Sequence, residues 1–172
     1  YFLNGGREVE FAGESRHIVP SPDVATYDQR PEMSAPELTD AAVEYIEGED
    51  PDVLILNYAN ADMVGHTGDF DAAVAAVEAV DTNLARLATA VRDADGHLFV
   101  TADHGNADDM GTEESPHTAH TTNPVPFVSI PASGDSDATV REGGALCDIA
   151  PTLLDAIGVS VPEAMTGEVL VE

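Results

Sequence analysis

The sequence contains no lysine. Its six basic residues are all arginines, Arg7, Arg16, Arg30, Arg86, Arg92 and Arg141, against 33 acidic residues, which leaves a formal net charge of −27. A chain so poor in cations cannot neutralise a row of phosphates, so nucleic-acid backbones are excluded as partners. Anionic membrane surfaces are disfavoured for the same reason. No apolar run approaches the roughly 18 to 20 residues that a membrane-spanning helix needs. The first residues, Tyr1-Phe2-Leu3-Asn4-Gly5-Gly6, have neither the basic nor the apolar region of a signal peptide. They also lack an initiating Met and read as the inside of a strand, so a piece of a longer protein is expected. Cys147 is the only cysteine. Intramolecular disulfides are therefore impossible, which fits a reducing cytoplasm.

Apolar residues make up 43% of the 172, enough for a core, and the acids are spread along the chain rather than gathered in a tail. One folded domain is the default, two small ones are possible, and disorder is disfavoured. A charge of this size repels itself at low salt. Molar salt shrinks the screening length to about 3 Å and removes that cost. The acid-rich, lysine-free composition therefore points to the cytosol of a halophile.

The order of elements is legible from periodicity. Tyr1 to Leu3 reads as a short strand, Asn4-Gly5-Gly6 as a turn, and Glu8 to Phe11 alternates like a half-buried strand. Pro20, Pro22 and Pro31 imply an irregular connection. Ser34-Ala35-Pro36-Glu37 has the pattern of a capping box with an early proline, so a helix is predicted from there to about Glu47. Val53 to Leu56 is an apolar run of strand length, suited to a parallel strand covered on both faces. Phe70, Ala73, Val77, Val80, Leu84, Leu87 and Val91 mark one face of a long helix, with Asp69 as N-cap. Leu98 to Val100 and Val125 to Ile130 read as further strands, the second near an edge because of Pro126. Ala145 to Ile157 reads as a closing helix ended at Gly158. This alternation predicts an α/β fold with a largely parallel sheet. Ligands then gather just beyond the carboxyl ends of the strands.

Three loops occupy those places. The first holds Asp62 and His66, four residues apart with Gly65 between them. The second holds Asp103-His104-Gly105-Asn106, and the third holds His117 and His120. Carboxylate plus imidazole without thiolate is a ligand set for divalent Mn or Zn. Asp103 and His104 are adjacent, and can face one site only where the loop bends, which Gly105 eases. Taken singly, each residue has a local reading, as a helix cap or a backbone-bonding histidine. Taken together at three strand ends, they predict metal binding. His117 reads as surface or as support behind the ligands, Asp108 and Asp109 as solvated loop acids, Cys147 as core, and Thr101 as a hydrogen-bonding spacer.

The segments Asn57 to Gly68, Thr101 to Ala107 and Thr118 to Pro126 together resemble the three metal loops of cofactor-independent phosphoglycerate mutases, in the alkaline-phosphatase-like superfamily. Val19-Pro20-Ser21-Pro22 and Tyr27 to Ser34 are similar to the segment that approaches the first loop. The resemblance runs from Tyr1 to about Ile157. It implies a three-layer α/β fold with helices on both faces of the sheet, incomplete in this chain. It implies two divalent metal ions, most often manganese, and no organic cofactor. By position, Asp62, His66 and His120 would hold one ion, while Asp103 and His104 would help hold the other. The family's substrate is a phosphoglycerate, interconverted between its 2- and 3-phospho forms in glycolysis and gluconeogenesis through a phosphoserine.

The chain departs from the family in length. Residues 1–172 correspond to the C-terminal part of the metal-binding phosphatase-like domain. The N-terminal strand segment with the nucleophilic serine and the inserted substrate domain have no counterpart. Catalytic nucleophile and substrate-binding residues are thus expected in the rest of the chain, its principal partner, and this part alone is expected to be inactive. Two alternatives are another metal-dependent phosphatase or phosphomutase of the superfamily, and a non-catalytic acidic metal-binding module.

Overall fold

The computed structural model describes residues 6–132 and 138–171. Tyr1 to Leu3, read as a strand, lie outside the described residues. The elements in order are α1 (Ala35–Glu49), α2 (Asn60–Gly65), α3 (Phe70–Asp93), β1 (Leu98–Thr101), β2 (Gly111–Thr112), β3 (Ser115–Pro116), β4 (Phe127–Ile130) and α4 (Ile149–Ala156). Single 3₁₀ turns occur at Tyr27–Gln29 and Leu146–Asp148.

The helices largely follow the sequence pattern. α3 begins where Asp69 accepts the Ala72 N–H at 2.9 Å, the expected N-cap. α1 begins one residue after Ser34, but the capping box does not form. The Ser34 hydroxyl instead donates to the carbonyl of Pro20 at 2.6 Å, tying the proline-rich connection to the helix start. The closing helix is shorter than expected. Residues 146–148 form a 3₁₀ turn, and α4 starts at Ile149 with Pro151 in its first turn, where a missing N–H leaves no helical bond unmade. It ends as expected: the N–H groups of Gly158 and Val159 reach back to the carbonyls of Asp155 and Leu154, at 2.9 and 2.8 Å.

The buried face of α3 is rotated from the expected stripe. Ala72, Ala73, Ala76, Asn83, Leu87 and Ala90 are buried, whereas Phe70 and Val77 are exposed. The alanines let α1 and α2 approach closely, and the bulky residues are left outside. Two clusters result. Ala42 and Ile46 of α1 meet Leu87 and Ala90 of α3. Val64 of α2 meets Ala72, Ala73 and Ala76, with Met33 and Met110 closing the cluster.

The strands expected at Leu98 to Val100 and Val125 to Ile130 form as β1 and β4, but their pairing departs from expectation. β1 and β4 pair antiparallel, Leu98 opposite Ile130 and Thr101 opposite Phe127, and β2 pairs antiparallel with β3. No parallel ladder occurs among the described residues. Glu8 to Phe11 and Val53 to Leu56 form no strand. Val53, Leu54 and Ile55 are 42%, 40% and 59% exposed, because no strand among the described residues lies beside them to bond their backbone or cover their side chains. The architecture is mixed α/β, with small sheets and helices.

Candidate metal centre

Asp62 and His66 sit at the two ends of one helical turn, and spacing by four places both on the same side of α2. α2 is itself held from below. The buried Asn60 amide donates to the carbonyls of Pro31 and Glu32, each at 2.9 Å. Gly65 is needed for close approach rather than for a turn. A Cβ there would strike the Asn106 side chain from the second loop.

The third loop delivers His120 to the same place. Asp62 Oδ1 lies 3.2 Å from His66 Nε2 and 3.2 Å from His120 Nε2, and the two imidazole nitrogens lie 3.2 Å from each other. A metal bound at about 2.0 Å in a tetrahedral set separates its ligands by about 3.3 Å, so this triangle has the size of one tetrahedral face. The residues present fit a divalent ion of that kind. His66 Nδ1 donates to the Thr118 carbonyl at 2.7 Å. That bond places the proton on Nδ1 and leaves the Nε2 lone pair free, the tautomer a ligating histidine needs.

The second loop bends at Asp103 and His104, as a shared site would require. Asp103 Oδ2 and His104 Nε2 are 3.6 Å apart. The Asp103 side chain is 87% exposed, and its free face points away from the protein. His104 stacks on His120 with ring centroids 3.8 Å apart, and His104 Nδ1 is buried with no hydrogen-bond partner. Asp62, His104 and His120 also present donor atoms within 4.8 Å of one another. All five expected ligands are therefore gathered, in one triangle and one neighbouring pair. His17 stands apart and exposed. An open cavity of about 490 Å³ adjoins the pair, lined among others by Thr101, Thr121, Asn123 and Arg141. Arg141 already faces Asp148 and Glu168, each at 3.4 Å.

Two residues were missed by spacing alone. Asn106 is buried and donates to both Asp62 Oδ1 and the Asp62 carbonyl, at 2.7 and 3.2 Å. Asp108 is exposed, as expected of a loop acid, but it is also hydrogen-bonded. It accepts from the Thr121 hydroxyl and from the Asn123 amide of the third loop. These hydrogen bonds, Asn123's foremost, hold its carboxyl below the usual carboxylate range. No signal in the sequence separated Asp108 from the adjacent Asp109. Asn106 lay within a recognised motif, but its contact with Asp62 depends on the fold. His117 turns its ring to the Asp109 carbonyl at 2.8 Å and takes no place in the triangle. Thr101 donates to the Pro126 carbonyl, as a spacer should. Cys147, expected in the core, is exposed, because the 3₁₀ turn before α4 rotates it outward.

Three loops that converge carboxylates and imidazoles at the end of an α/β unit define a metal-binding enzyme domain. Residues 1–161 match the metalloenzyme superfamily, and the chain belongs to it. Within that superfamily it is similar to 2,3-bisphosphoglycerate-independent phosphoglycerate mutases. It is 71% identical to that of Natronomonas pharaonis and 66% identical to that of Halobacterium salinarum, in each case over 100% of this chain and 34% of the relative. A crystal structure of Leishmania mexicana phosphoglycerate mutase at low cobalt concentration superposes with a TM-score of 0.91 at 34% identity, covering 100% of this chain and 34% of that one. The chain thus spans about a third of the length of these relatives.

Proposed function

We propose that this chain is the C-terminal, metal-binding part of a phosphoglycerate mutase that interconverts 2- and 3-phosphoglycerate. The observation that carries the reading is the 3.2 Å triangle of Asp62, His66 and His120, built from two separate loops. These three residues hold one divalent ion, and Asp103 with His104 contributes to a second. Ligands of this type suit manganese. Such ions lower the charge on a phosphoryl group and favour the ionised form of a nucleophilic hydroxyl.

The chain's own residues have definite tasks in this reading. His66 keeps its proton on Nδ1 through Thr118. Asp62 is held by Asn106. Asp103 turns its exposed face outward, where a ligand from the rest of the protein can complete the second site. The nucleophilic serine, which takes the phosphoryl group from one hydroxyl of glycerate and returns it to the other, comes from that remaining part, as do the groups that grip the substrate. Arg141, engaged by two carboxylates, is poorly placed for gripping. The bare apolar segment Val53 to Ile55 and the exposed Phe70, Val74 and Val77 support a domain whose sheet is completed by the rest of the protein, in a three-layer arrangement. The single exposed cysteine and the −27 charge support a cytoplasmic enzyme working in concentrated salt.

In the full-length protein, Asp62→Ala and His66→Ala should each remove bound metal and mutase turnover together, while His17→Ala should spare both. Metal content by elemental analysis beside a coupled mutase assay checks this. Full metal content and turnover in the Asp62 and His66 variants would refute the assignment.

A further inference from the structure

His120 is the one member of the triangle that comes from a loop without regular structure, so something must hold that loop in place. Two ties flank it. Two residues before, the Thr118 carbonyl is bound by His66. One residue after, the Thr121 N–H donates to the Gly105 carbonyl at 2.8 Å, joining the third loop to the second. Gly105 has no alternative there, since a Cβ would collide with the Thr121 hydroxyl and the Asp108 carboxylate.

We propose that Asp108 is the positioning residue for His120, clamping the third loop to the second through Thr121 and Asn123. The Thr121 hydroxyl donates to both oxygens of Asp108, at 3.1 and 3.0 Å, and Asn123 Nδ2 donates to Oδ2 at 2.6 Å. Both carboxylate oxygens thereby accept hydrogen bonds from the third loop, and Asp108 is not among the residues whose donor atoms cluster at the candidate centre. The brace grips the residue next to His120 and the residue three beyond it, on the side opposite the Thr118 tie. Without it, only one peptide bond's hydrogen bond would fix the trailing side of His120. The 3.2 Å distances to Asp62 and His66 demand tighter control than that.

The inference rests on the metal-centre reading, and the test separates the two. The probe is Co²⁺ alone, titrated into the full-length protein and followed by its visible absorption, which reports ligand number and geometry. Asp108→Ala should weaken Co²⁺ binding about 10- to 100-fold and alter the spectrum, as His120 leaves the ligand set. Asp108→Glu, which restores two acceptors, should recover most of the affinity. Thr121→Val keeps the backbone bond to Gly105 and the side-chain size, so it tests the clamp even where Asp108→Ala fails to fold, and it should shift the spectrum in the same direction. Loss of thermal stability with unchanged Co²⁺ affinity and spectrum in both variants would overturn the clamp and leave the metal centre standing. A wild-type protein with no Co²⁺ spectrum, or one that His120→Ala leaves unaltered, would overturn the metal centre and the clamp with it.

Discussion

At the scale of single residues, the candidate centre is braced by side chains that are not themselves candidate ligands. Asn106 is the clearest case. Its amide must present nitrogen, not oxygen, to Asp62, because both atoms it meets there are acceptors. It therefore fixes the rotamer of Asp62 and leaves its own Oδ1 buried without a partner. That unmet acceptor costs stability, on the order of 1–3 kcal/mol, which is reasonable only where the other half of the amide serves a purpose. Asn106→Ala should lower metal affinity about 10- to 100-fold with the three direct ligands intact. A metal titration of the full-length protein checks it, and unchanged affinity would mean that α2 alone orients Asp62. The five candidate ligands were legible in the sequence because carboxylate and imidazole are the side-chain types that divalent ions take, and three loops carry them. Asn106 and Asp108 were not legible in their roles. Each acts on a residue in a different loop, and nothing in a linear motif says which loops will touch.

At the scale of elements, the long helices and the strands at Leu98 to Val100 and Val125 to Ile130 were readable, while the pairing of the strands and the fate of Val53 to Leu56 were not, for a physical reason. A helix satisfies its own backbone, so Asp69 and the repeat behind it suffice to specify α3. A strand needs a neighbour. Val53 to Leu56 has the composition of a buried strand but no strand beside it among the described residues, so Val53, Leu54 and Ile55 stay exposed while only Leu56 packs on the core. Even α3 shows the limit: its apolar stripe predicted which turns are buried but not that the alanine face would win over the valines. The C-terminal strap is a further element that periodicity could not reveal. Asp148 accepts the N–H of Glu168 at 2.8 Å and that of Ala145 at 2.9 Å, Thr152 accepts the N–H of Leu170 at 2.9 Å, and Arg141 N–H donates to the Leu170 carbonyl at 2.8 Å. The backbone N–H groups of Glu168 and Ala145 hold the Asp148 carboxyl below the usual range, with Cys147 and Arg141 adding to them. A folded value below the unfolded one means stabilisation that is present above about pH 4 and lost as the pH falls through the depressed value. Asp148→Asn should therefore be less stable at neutral pH and lose less on acidification. Urea midpoints of both proteins across the acid range, at constant salt, test this. Parallel curves would show that Asp148 has no part in the acid response.

At the scale of the whole molecule, charge decides. Four of the six arginines are paired: Arg16 with Glu8 and Glu14, Arg30 with Glu32 and Glu37, Arg86 with Asp40, and Arg141 with Asp148 and Glu168. Each surface pair contributes about 0–1 kcal/mol, and salt weakens it. The repulsion is more numerous, since 33 acids share six cations. Screening acts on both, but it removes many repulsive terms for every attractive one, so added salt should stabilise the fold. The screening length falls from about 10 Å near 0.1 M to about 3 Å near 1 M, shorter than the spacing of most surface carboxylates. The thermal midpoint in KCl should therefore climb steeply over that interval and then flatten, because little repulsion remains to be screened. Salt excluded from the protein surface would act differently, raising stability steadily with concentration and more strongly for sulfate than for chloride. A curve that saturates near molar KCl assigns the salt requirement to charge. A straight rise with a large sulfate advantage assigns it to exclusion, and a flat response would show that the −27 charge carries no cost that salt relieves.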